Sequence, residues 1–193
     1  MTEKLSTKIY TEVRSDILHG VYGSRDFISE AQIAQKYGVS KAPVKEALHM
    51  LADQGFIISY PRKGYMVNVY SNDEINMIQE IRRNLESLCI RRAIRYADDE
   101  EIERLRDTFA GEKNSLNPGE TINTRFHMAL AELSKNDFLP VTLKGLVYKA
   151  SLSQMGREPD IEHFEHIVEA LLERDEEKAI RYLYEDIVDT VSD

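Results

Sequence analysis

The chain has 193 residues, 42% of them hydrophobic and 31% charged, with a formal net charge of −9, the balance of a folded globular protein rather than a disordered one. No run of about 18 apolar residues exists, which excludes a membrane-spanning helix. The opening stretch MTEKLSTKIYTEVRSD is charged throughout and lacks the apolar core of a secretory signal, so a cytoplasmic protein is expected.

Charge is unevenly spread. Through Tyr70 there are nine Lys and Arg against seven Asp and Glu, a net of +2, which leaves −11 for the remainder. A mildly basic head on an acidic body suits nucleic-acid binding at one end. The single cysteine, Cys89, cannot form an internal disulfide and falls in an apolar helical stripe, as a buried thiol does.

In chain order, Leu5, Ile9, Val13 and Ile17 recur every fourth residue and predict an amphipathic helix ending at Gly20. After the turn-rich VYGSRDF, Ser29 opens SEAQIAQKYG with Gln32 three residues on. This capping-box pattern predicts a short second helix, stopped by Gly38. Ser40 can cap a third helix running to Gln54, and Pro43 falls in its first turn, where a missing N–H costs little. Val44, Ala47, Leu48 and Leu51 form its buried face, so Ala42, Lys45 and His49 project outward and Lys41 stands near the N-terminal edge. FIISY and YMVNVY then flank PRKG and read as a β-hairpin. Three helices followed by a hairpin make a winged helix-turn-helix.

Beyond Asn72 only helical periodicity remains. One long helix is predicted through about Tyr96 and another over residues 98–115; Asn117, Pro118 and Gly119 break the chain. Helices are expected over 120–134, 139–155, 160–174 and 175–191, an all-α bundle of five or six helices. The fold class is therefore mainly α: a winged helix-turn-helix, residues 1–70, followed by an all-helical domain, residues 71–193.

In a helix-turn-helix the second helix of the pair enters the major groove, with its N-terminal residues near base edges and basic groups on phosphates. Here that helix offers Ser40, Lys41, Ala42, Lys45 and His49, while Arg62 and Lys63 at the hairpin tip reach phosphates or the minor groove. In the second domain Arg82 lies on the inward stripe beside Ile75, Ile78 and Leu85, where an unpaired guanidinium would be costly. Its partner is an anionic ligand such as a carboxylate, Glu86 one turn on, or water. No HExxH run, nucleophile elbow or phosphate-binding glycine loop is present, so an enzyme is not expected.

The text ILHGVY, SEAQIAQKYGVSKAPVKEALHMLADQGFI and RKGYMV resembles the GntR family of bacterial transcriptional regulators over about sixty residues. The matches are Ser29, Glu30, Ile33, Ala34, Gly38, Val39, Ser40, Pro43, Val44, Glu46, Ala47, Leu48, Leu51, Gly55 and the wing glycine Gly64. The resemblance departs at Ala31, Lys41 and Lys45, where members commonly carry Arg. Lys is a mobile point charge and Arg a planar two-bond fork, so weaker base discrimination or a different operator is expected.

IRRNLESLCIRRAIRYA, through Arg82, Leu85 and Glu86, is similar to the FadR-like branch with an all-helical FCD-type domain that dimerises and senses a small molecule. The chain is short for that branch, the missing length falling between Asp137 and Ile161. Many members hold a divalent metal through one Asp and three His. The resemblance sets Asn123, His127, Phe164 and Asp186 at those four positions, so only His127 is unchanged. A metal-free pocket is expected; were a metal held, His127, Asp186 and one of His163 or His166 would hold it. The resemblance thus implies a homodimeric repressor that binds a double-stranded DNA operator and a small, carboxylate-like effector through Arg82, Asn123, His127, Phe164 and Asp186. The alternative is a DNA-binding dimer whose bundle only dimerises and senses neither ligand nor metal.

Overall fold

The computed structural model describes residues 4–23, 26–110, 120–154 and 160–188. The chain divides into two compact units with the main boundary between Tyr70 and Ser71.

In the first unit, α1 (Leu5–Leu18) packs its Ile9, Val13 and Ile17 against α3 (Lys41–Asp53), whose Val44, Ala47, Leu48 and Leu51 are fully buried. Both helices bury the i, i+3, i+4 face their sequences present. Between them, α2 (Glu30–Tyr37) begins with a complete capping box: Ser29 Oγ accepts from the Gln32 amide, and the Gln32 side chain accepts from the Ser29 amide. It ends at Gly38 in the left-handed region, φ 63°. At the end of α3, Tyr10 Oη donates to Gln54 Oε1 at 2.5 Å, and Arg14 Nη1 donates to the same hydroxyl at 2.8 Å.

The hairpin is β2 (Ile57–Tyr60) with β3 (Gly64–Val67), antiparallel, with Ser59 opposite Tyr65. A third strand was not expected: β1 (Phe27–Ile28) pairs antiparallel with β3, giving the order β1-β3-β2. Two residues inside a turn-rich stretch carry no periodicity. They become a strand because β3 presents an open edge to them.

The second unit is built on α4 (Asn72–Tyr96), which opens with a Ser71/Glu74 capping box and packs on α7 (Ile122–Leu133), α9 (Ile161–Leu172) and α10 (Glu176–Asp186). Its core joins Cys89, Ile90 and Ala93 to Phe109, Phe126, Leu130, Leu143, Phe164, Ile167, Leu171 and Leu183, with Leu143 supplied by α8 (Phe138–Ser153). Burial pushes the Cys89 thiol up to about 12, so it is inert as a nucleophile. Three arginines close helix ends by donating to terminal carbonyls. Arg83 binds Ile187 O, Arg92 binds Ser134 O and Lys135 O, and Arg174 binds Ala97 O. Each satisfies acceptors that a helix C-terminus leaves open.

One predicted helix is instead divided. Residues 98–110 form α5 (Asp99–Glu103), a 3-10 turn (Arg104–Arg106) and α6 (Asp107–Ala110). The tighter turn lets Ile102, Leu105 and Phe109 all reach the core while Arg106 donates to Glu165 of α9 at 2.8 Å. Residues 111–119, with the expected break at Asn117, Pro118 and Gly119, lie outside the described residues, as do 155–159 and 189–193 at the expected ends of α8 and α10.

Candidate functional site

On the first unit, Ser40, Lys41, Ala42, Lys45 and His49 are all exposed along α3. Ser40 occupies the N-cap position, yet its side chain makes no capping hydrogen bond, contrary to expectation. Pro43 removes one donor from the first turn, but the remaining N-terminal amides of α3 are left uncapped by the Ser40 hydroxyl, which favours an anion there. Glu46, the acid on this surface, is paired with Lys4 at the start of α1, and that partner holds its carboxyl below the ordinary glutamate range.

Lys41, Arg62 and Lys63 line one open groove of about 390 Å³ with Glu30, Ala31 and Tyr60, so the helix start and the hairpin tip share a cationic surface. Arg62 sits in the left-handed region, φ 66°, at the tip. Gly64 has φ 109°, and a Cβ there would stand 2.6 Å from Ile28 O. Its place is explained by the close passage of β3 beside β1.

In the second unit the expected effector residues gather around a buried charged chain. Arg82 is 1% exposed, and its Nε donates to Glu86 Oε1 at 2.8 Å while Nη1 donates to Gln79 Oε1 at 3.0 Å. Glu86 Oε2 lies 2.5 Å from His127 Nδ1. On the other side of the ring, His127 Nε2 stands 2.9 Å from Asp186 Oδ2. His127 Nε2, Asp186 Oδ2 and Arg82 Nη2 are all buried without hydrogen-bond partners among the described residues. Burial opposes ionisation of Glu86, but the Arg82 guanidinium and His127 outweigh it and hold its carboxyl below the usual range. Burial likewise opposes the imidazolium of His127, yet Glu86 and Asp186 carry its pKa above the ordinary histidine value against the repulsion of Arg82.

Phe164 is fully buried; it stacks on Phe126 with centroids 4.3 Å apart and meets the His127 ring edge-on at 6.0 Å. Asn123 is buried one turn before His127 on α7. Glu86 is the central member of this group, and the sequence reading had it only as one possible partner of Arg82. Its signal was the i, i+4 spacing from a buried arginine; Gln79, at i−3, had the same signal and was missed.

Residues 5–67 match the bacterial regulatory proteins of the gntR family, and residues 77–188 match the FCD domain. The chain belongs to the GntR family. It is a GntR-family transcriptional regulator with an FCD domain, and that family and its relatives are regulators rather than enzymes. Among similar proteins, the uncharacterized HTH-type transcriptional regulator YdhC of Bacillus subtilis is 29% identical over 138 residues, covering 68% of this chain and 62% of that one. The match thus spans less than two thirds of the YdhC protein. The Nta operon transcriptional regulator of Aminobacter aminovorans is 28% identical over 164 residues, 81% of this chain and 78% of that one. Among solved structures, E. coli McbR/YncC superposes with a TM-score of 0.73 at 20% identity, covering 96% of this chain and 94% of that one; this likeness shows the fold. No described helix is long and apolar enough to cross a membrane.

The metal set of many GntR-family FCD domains does not fit these residues. Phe164 fills one ligand position with a stacked ring, and both nitrogens of His127 face carboxylates. His163 turns to Asp160 at 3.3 Å, and His166 stacks on Tyr182 with centroids 4.7 Å apart, so neither joins His127 and Asp186. Among the described residues no group of three or more His, Cys, Asp or Glu has metal-holding geometry.

Proposed function

We propose that this GntR-family regulator is a cytoplasmic homodimeric repressor that binds a double-stranded operator and is released by a small carboxylate effector, with no metal in the bundle. The reading for DNA is supported by the exposed row on α3 and by the groove that joins Lys41 to Arg62 and Lys63. α3 enters the major groove, and the hairpin tip holds the adjacent backbone.

The observation that carries the effector reading is Arg82 Nη2, a charged donor with no hydrogen-bond partner among the described residues at a site 1% exposed. A buried donor of that kind costs several kcal/mol, on the order of 1–3 or more, unless an acceptor reaches it. A ligand carboxylate between Arg82, Asn123 and His127 would supply that acceptor, with Phe164 and Asp186 as the remaining walls. One observation favours the second reading, a bundle that only dimerises: Phe164 and Phe126 are already packed ring on ring where a ligand would need room.

Two measurements decide. Fluorescence anisotropy with the gene's own upstream DNA at two salt concentrations should show one duplex bound far more tightly than the rest; equal affinity for every duplex, falling together with salt, would refute operator recognition. Thermal-shift screening with small mono- and dicarboxylic acids should find one that raises the melting point and loses its effect in Arg82→Gln. A screen without a hit favours the dimer-only reading.

A further inference from the structure

The buried polar chain of the second unit is balanced in charge, and that balance restricts what can join it. Arg82 and Glu86 of α4, His127 of α7 and Asp186 of α10 follow one another in it. Gln79 and Asn123 beside them are neutral, and Phe164 of α9 presents a ring. With His127 protonated the chain is neutral; with His127 neutral it carries −1. In neither state do the described members leave a positive charge over. A plain carboxylate brought to Arg82 therefore adds a negative charge that no described residue cancels, beside Glu86 and at a site 1% exposed, where an uncompensated charge is costly. A dicarboxylate is worse by a second charge.

The uncommitted atoms divide in the same sense. Arg82 Nη2 is a cationic donor without a hydrogen-bond partner among the described residues, and it calls for an anionic acceptor. Asp186 Oδ2, at the other end of the chain, is a buried carboxylate oxygen that accepts no hydrogen bond from the described residues, although it faces His127 Nε2 at 2.9 Å. An ionised carboxylate offers several lone-pair sites, so this oxygen has room for a cationic donor besides the ring. Glu86 is already committed at both oxygens, Oε1 to Arg82 and Oε2 to His127. The chain thus wants an anion at one end and a cation at the other. A ligand hydroxyl could donate to Asp186, but it would leave the ligand's own negative charge uncancelled. An ammonium does both.

We propose that the effector site is built for a zwitterion, an amino acid whose carboxylate takes Arg82 Nη2 and whose ammonium donates to Asp186 Oδ2. The proposal rests on the effector reading above and narrows its class from carboxylates to ammonium carboxylates. Bound this way the ligand is neutral as a whole, so the buried charge is unchanged and each ligand end meets its opposite. Asp186 then sets specificity, telling an amino acid from the hydroxy acid of the same shape.

The test uses the full chain with matched sets of acids. L-Alanine, L-serine, L-leucine, L-glutamate, β-alanine and 4-aminobutyrate are each compared with the same acid carrying hydroxyl or hydrogen in place of the ammonium, by thermal shift and then by calorimetry. At least one amino acid should raise the melting point and bind at least about 100-fold more tightly than both of its counterparts. Asp186→Asn, with circular dichroism as the folding control, should remove that preference, a change that a merely structural role would not produce. Arg82→Gln should lose all three ligands of the set. The wild-type series decides the ligand class even if Asp186→Asn does not fold.

A plain or hydroxy acid that binds as tightly as its amino counterpart would overturn the zwitterion and leave the carboxylate effector standing. An amino acid whose affinity is the same in folded Asp186→Asn would overturn the assignment of its ammonium to that residue. A series in which neither amino acids nor their counterparts bind would overturn the effector reading together with this one and favour a bundle that only dimerises.

Discussion

Lys41 and Lys45 stand exposed on α3 where the family resemblance implies arginine, and the difference is physical. A lysine adds a charge that any phosphate can use, without the planar fork that grips guanine through two bonds. Lys45→Ala should therefore weaken binding to every duplex alike and lower the slope of log affinity against log salt by about 1. Lys45→Arg should instead widen the gap between operator and unrelated DNA; both are read by anisotropy titration. The buried histidine makes a second prediction at this scale. His127 has a folded pKa raised above its ordinary 6.5 by Glu86 and Asp186 despite burial and Arg82. Its contribution to stability is thus complete below about pH 6.5 and declines as pH rises through the folded value. Glu86 has the opposite sign: its lowered pKa gives stability above the ordinary carboxylate range that is lost on acidification. Urea midpoints measured from pH 6 upward should fall more steeply for wild type than for His127→Gln.

Each element owes its position to a different device. The wing depends on β3 passing close to β1 at Gly64. Gly64→Ala forces its Cβ against Ile28 O and asks for a backbone angle that side chains resist. It should lower DNA affinity while the helical circular dichroism of the bundle is kept. α7 and α9 meet through Phe126 and Phe164, stacked 4.3 Å apart. Phe164→Ala should cost about 3–5 kcal/mol in denaturant unfolding, the range for emptying a buried aromatic site. Phe164→His would put a ligand type back at that position. It should also be destabilised and should gain no metal-dependent rise in melting point, because Glu86 and Asp186 flank both nitrogens of His127.

For the molecule as a whole, the proposed effector acts on the operator only if its binding to the helical unit is coupled to DNA binding. Coupling is reciprocal: an effector that weakens operator affinity by some factor must itself bind the operator complex more weakly by the same factor. Calorimetric titration of a carboxylate hit into free protein and into the operator complex should give equal ratios. The proposed homodimer, with two heads related by two-fold symmetry, calls for a palindromic operator. Footprints should show half-sites about 34 Å apart or a multiple of that spacing.

The units were legible to different depths. Helices α1 to α3 and the hairpin could be read residue by residue because capping boxes, left-handed glycines and apolar spacing are local signals, written within a few residues of where they act. The outward row from Lys41 to His49 followed from helical geometry alone. Strand β1 and the division of residues 98–110 were not legible, since each depends on what a distant segment offers. The resemblance of local text to relatives named Arg82, Asn123, His127, Phe164 and Asp186, but not how they meet. Ile75, Ile78 and Leu85 marked the inward stripe of α4, but that Met77, Ile81 and Leu88 stay exposed could be told only once the core was in place. Sequence by itself determined helices α1 to α3, the hairpin and the outward row on α3, because these are set by local backbone chemistry. Tertiary structure alone decided that Glu86 links Arg82 to His127 and that Phe164 closes on Phe126. The Glu86–His127 and Phe126–Phe164 contacts join residues 41 and 38 positions apart along the chain, and no local rule reaches that far.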